Sequence, residues 1–152
     1  MVPEFSKLDE SEIELMLKAP ILVCILIAGA DGTIDKKEIK EGIAVASKQK
    51  KSKSLLANYF KEVSTDFEDK LLILTQTYPY NPSERSALIV QELAGLNNLL
   101  GKLDKEFAIT FYDMLRELAL KIASSSGGLL GMRTVGSEEA QFVDLSMINN
   151  PA

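Results

Sequence analysis

The chain has 152 residues, 46% apolar and 26% charged, the make-up of one globular domain rather than of a disordered chain. Lys and Arg number 17 against 22 Asp and Glu, a formal charge of −5, which argues against nucleic acid as the main partner. There is no His and one Cys, Cys24, so His–Cys zinc sites, Ser–His or Cys–His nucleophile pairs and an internal disulfide are excluded.

Helical spacing dominates from end to end, and almost nothing alternates as a strand would. The opening "SKLDESEIELMLK" carries acids that suit a helix start, and Pro20 predicts the first turn of a second helix running through Ala30. That second helix, "APILVCILIAGA", is the most apolar run in the chain. It stops short of the roughly 20 residues a membrane span needs, so it reads as a buried helix, with Cys24 as a small hydrophobe inside it. The acidic N-terminus is unlike a signal peptide, so the expected location is the cytoplasm.

A further helix is expected from Asp35 through Ala46, followed by the Lys-rich break 47–54. Apolar faces then recur at Leu55, Leu56, Tyr59, Phe60 and Val63, and again at Phe67, Leu71, Leu74 and Tyr78. "YPYNPS" is a turn, Ser83 an expected cap, and Ile89, Leu93, Leu96 and Leu100 the next stripe. The longest predicted helix carries Phe107, Phe111, Met114, Leu118 and Ile122. An extended loop over 124–137, a short closing helix within 138–148 and a loose tail over 149–152 complete the chain. The expected fold is therefore all-α: one domain, 1–152, built as a bundle of seven to eight short helices.

The stretch "AGADGTIDKKEI" matches the back half of a calcium loop, with Gly32 sixth and Glu38 twelfth. The first and third positions fall on Ile27 and Gly29, which offer no side-chain oxygen, so an EF-hand is rejected. A structural loop explains the same residues: Gly32 ends a helix, Ile34 points inward, and Asp35 with Glu38 forms a capping box. Asp31 is the residue this account explains least. The alternative is a weak site for Ca2+, Mg2+ or Mn2+ in which Asp31, Asp35 and Glu38 supply oxygens and water fills the gaps.

A weaker copy lies near the C-terminus. Ile27-Ala28 is echoed by Ile122-Ala123, Asp31 by Ser126, Gly32 by Gly127 and Ile34 by Leu129, with Glu138 or Glu139 standing where Glu38 does. Two copies of a helix-loop-helix unit predict a pseudo-twofold bundle rather than a solenoid.

On the segment Ala28, Asp31, Gly32, Ile34 and Glu38, and on its echo, the chain resembles the TerB-like domain family associated with bacterial tellurite resistance. The resemblance implies an all-α fold of seven or more helices without known catalysis. It also implies an acidic surface that binds divalent metal or docks protein partners, some of them at a membrane. Ser126 in place of the second Asp, and the insertion "LLGMRTVGS", depart from the family pattern and speak against a symmetric carboxylate cluster.

The remaining candidates read as surface. Lys48, Lys50, Lys51 and Lys53 form a basic run that suits a solvated helix end and, functionally, would take phosphate or anionic lipid. Asp113, Arg116 and Glu117 read as exposed positions of the long helix. No catalytic residue is assigned. The expected function is a non-enzymatic interaction module in stress or metal resistance, with a cation sensor as the alternative.

Overall fold

The computed structural model describes residues 2–29, 42, 44, 55–127 and 142–152, the last four residues of the long helix by backbone alone. These residues fold as α-helices joined by turns. The five helices are α1 (Glu10–Ala28), α2 (Ala57–Ser64), α3 (Phe67–Thr77), α4 (Pro82–Ala94) and α5 (Lys105–Gly127). Three 3-10 turns, Pro3–Phe5, Gly95–Asn98 and Leu100–Lys102, supplement them. Gly42 and Ala44 are also helical, within the expected helix 35–46. The all-α expectation holds for everything described, whereas the pseudo-twofold repeat involves residues outside it.

Helix α1 is the hub, packing against α2, α3, α4 and most extensively α5. Its first half is amphipathic. From Ala19 to Ala28 every side chain is buried, whichever way it points. With each large aliphatic contributing about 1.5–3 kcal/mol on burial, this run of Ile21, Leu22, Val23, Ile25, Leu26 and Ile27 supplies much of the core. Asp9 starts the helix with a reciprocal cap: its carboxylate accepts from the Glu12 N–H at 2.9 Å, and Glu12 accepts from the Asp9 N–H at 3.0 Å.

The break expected at Pro20 does not occur, and α1 runs straight through it. Proline has no N–H to give the carbonyl four residues back, which is that of Met16. The structure supplies a substitute donor: the hydroxyl of Tyr59, on α2, donates to the Met16 carbonyl at 2.5 Å. Tyr59 is itself fully buried, meeting Phe5, Phe60, Phe107 and Phe111 edge to face with centroids 5.3–6.4 Å apart. Burial raises its pKa well above that of a free tyrosine, so it remains a donor.

Cys24 sits in the same buried stretch. A Cβ on Gly42 would lie 2.6 Å from its Sγ, so glycine is what allows backbone at 42 to approach α1 this closely. Burial pushes the thiol up to about 12, which fits the expected inert hydrophobe.

Three other elements differ from expectation. Asn81, rather than Ser83, caps α4, accepting from the Glu84 N–H at 3.1 Å, with Pro82 in the first turn. Residues 124–127, expected to open a loop, continue α5. Residues 142–148 form turns instead of a closing helix, because buried Leu145 takes φ 50°, which a right-handed helix cannot pass through. The tail expected to be loose is held at its start by Asn97, whose side chain donates to Met147 O at 2.9 Å and accepts from Asn149 N at 2.7 Å.

Candidate interaction surface

Gly29 ends α1, its N–H still donating to Ile25 O at 2.9 Å. Its carbonyl, at the negative end of the helix, accepts from Arg85 Nη2 at 2.8 Å. Arg85 reaches back from the first turns of α4 and is only 4% exposed. Its other fork nitrogen, Nη1, donates to Tyr80 O at 3.2 Å. The guanidinium thus binds two main-chain carbonyls, and no carboxylate meets it among the described residues. Glycine at 29 is required by this approach: a Cβ would stand 2.7 Å from Arg85 Nη2 and 2.9 Å from Ile25 O.

Arg85 therefore ties the exit of α1 to the link 78–81 between α3 and α4. Two further ties hold that link. The Tyr78 hydroxyl donates to Glu92, which also accepts from Lys18 Nζ at 3.1 Å. Burial, the hydrogen bond and the carboxylate's charge together raise the Tyr78 pKa, so its proton stays in place at neutral pH. Asn81 is fixed as the α4 cap. Between these anchors the Tyr80 side chain stands in solvent, 92% exposed. A large aromatic held out on a pinned backbone suits a contact rather than a core.

The outer face of α3 precedes this link in the chain. Its exposed positions are 68, 69, 72, 73, 76 and 77, two neighbours per turn. Leu72 and Ile73, 55% and 61% exposed, fill the middle of the face, while Phe67 and Leu71 are buried on the inner side. Leu55, Leu88 and Leu120 are exposed singly on separate elements. Among the described residues, two shallow clefts lie elsewhere. One, of about 460 Å³, runs between α1 and α4 beside Lys18 and Glu92. The other, of about 310 Å³, lies between Leu100–Lys105 and the tail at Asn149 and Asn150.

Over 133 residues the chain is 32% identical to uncharacterized protein ORF11' of Methanothermobacter thermautotrophicus, covering 83% of this chain and 82% of that protein. The chain belongs to the ORF11' family. No family model matches it, and no solved structure does.

Within this member of the ORF11' family, most residues singled out from sequence lie outside the described set. Asp31, Gly32, Ile34, Asp35, Glu38, Leu129, Glu138 and Glu139 all do, as does the basic run 48–53. Ser126 and Gly127 are described by backbone, in the last turn of α5. No group of three acidic or Cys side chains that could hold a metal occurs among the described residues, and no helix among them is long and apolar enough to cross a membrane. Asp113, Arg116 and Glu117 are exposed, as expected, with Arg116 over the Tyr112 ring and 3.8 Å from Asp144. Sequence reasoning missed Arg85. The signal was there: four and eight residues before Ile89 and Leu93, it occupies a position on their apolar stripe, where a charge signals a buried partner.

Proposed function

We propose that the chain is a non-enzymatic, all-helical protein-interaction module of the kind the TerB-like resemblance implies, and that it docks a protein partner. The observation that carries this reading is Tyr80, held in solvent next to the exit of α1 by Arg85. The apolar pair Leu72 and Ile73, exposed on the outer face of α3, offers further contact area. Asp31 and Gly32 follow Gly29 closely in sequence. Tellurite or other stress resistance is the expected setting.

A photo-crosslinking residue placed at 80 in the living host tests the reading. A discrete adduct that Leu72→Ser/Ile73→Ser removes is expected. An adduct insensitive to that change, or none, argues against it. A parallel melt with millimolar Ca2+, Mg2+ or Mn2+ separates the sensor alternative, in which Asp31, Asp35 and Glu38 take an ion and raise the melting temperature. The docking reading predicts no such rise.

A further inference from the structure

We infer that the partner presents a cationic amphipathic helix, and that the outer face of α3 is its seat; this rests on the docking reading above. The face has a polarity along its length. Glu68 and Asp69 occupy its first turn, Leu72 and Ile73 its middle, Gln76 and Thr77 its end, and Tyr80 lies three residues beyond. The α3 dipole accounts for acids at that position but leaves their charge facing solvent. Neither Glu68 nor Asp69 pairs with a cation among the described residues. The one Lys of this helix, Lys70, turns back to Asp66 at 3.5 Å.

An apolar strip bounded by unneutralised carboxylates has a definite complement. A helix with leucine-like side chains at every third and fourth position covers Leu72 and Ile73, and Lys or Arg at its end meets Glu68 and Asp69. A second copy of this chain fits less well. It brings a further net charge of −5 to a face whose own acids already lack a partner cation among the described residues, so two copies repel there.

The test is a titration of the 15N-labelled full chain with a helical Leu/Lys peptide of about four turns, and with its Leu/Glu counterpart. Amide shifts centred on 68–80 with the Lys peptide alone are expected. Glu68→Gln/Asp69→Asn weakens that binding about tenfold, and Leu72→Ser/Ile73→Ser abolishes it. Equal binding of the Glu peptide on this face overturns the cationic partner while leaving a docking surface in place. Shifts confined to other acidic regions, such as Asp9–Glu14, and indifferent to both variants remove the docking surface as well. Concentration-dependent shifts on this face without peptide assign it to a second copy and overturn the inference.

Discussion

At the scale of single residues, two polar side chains satisfy main-chain carbonyls at opposite ends of one problem. Tyr59 serves Met16 O, orphaned by Pro20, and Arg85 serves Gly29 O, orphaned by the end of α1. Neither bond adds much in itself, because water would make it too. Leaving the carbonyl buried and unpaired is what costs, about 1–3 kcal/mol. Tyr59→Phe should therefore destabilise by about that amount. Pro20→Ala in the same chain should restore part of it, since alanine returns an N–H to Met16 O. Chemical denaturation of the two single variants and the double variant measures the coupling, and strictly additive effects would show that Pro20 and Tyr59 are unrelated. How much was legible at this scale follows from the same pair. Tyr59 was readable as core from its spacing with Phe60 and Val63, but its hydroxyl's partner was not. That partner is 43 positions away, and only the fold brings the two together.

At the scale of elements, the buried run of α1 was plain in the sequence because it needs no amphipathic pattern, only unbroken hydrophobicity. The boundary at Pro20 was misread because local chemistry says proline starts helices, while a distant hydroxyl lets this one sit inside. The turns of 142–148 were misread for a similar reason. Val143 and Met147 pack against the core and Leu145 lies within it, all from a turn, and apolar spacing alone cannot tell such a turn from a helix. At the start of α1, the hydrogen bond from the Ser11 hydroxyl and the Glu12 N–H hold the Asp9 carboxyl below its ordinary 3.8. The Lys102 ammonium at 2.7 Å and the Asp9 N–H hold Glu12 below its ordinary 4.5. Both carboxyls are thus easier to ionise in the folded chain. Their contribution is fully present above the ordinary values and fades as pH falls through the lowered ones. Asp9→Asn should accordingly flatten the loss of stability below pH about 4, and melts across that range check it. An unchanged slope would place the acid sensitivity elsewhere.

At the scale of the whole molecule, the acidic balance and the absence of His weighed against nucleic acid and His-based catalysis, and left an interaction module and a cation sensor as expectations. What composition could not show is where contact would fall. The sequence pointed to the segment Asp31–Glu38. The proposed docking surface rests instead on described residues, the pinned link at Tyr80 and the outer face of α3. That face was hidden in the sequence by a stripe argument that noticed Phe67, Leu71 and Leu74 and passed over Leu72 and Ile73. The central claim is that these two side chains serve a partner rather than the core. Thermal melts of Leu72→Ser/Ile73→Ser, with and without saturating Leu/Lys peptide, address it most directly. Surface positions predict a free chain within about 0.5 kcal/mol of the parent. They also predict loss of the stabilisation, about 2.7 kcal/mol at a hundred times the dissociation constant, that the peptide gives the parent. A variant that melts several degrees lower by itself, or that still gains stability from the peptide, would contradict the account.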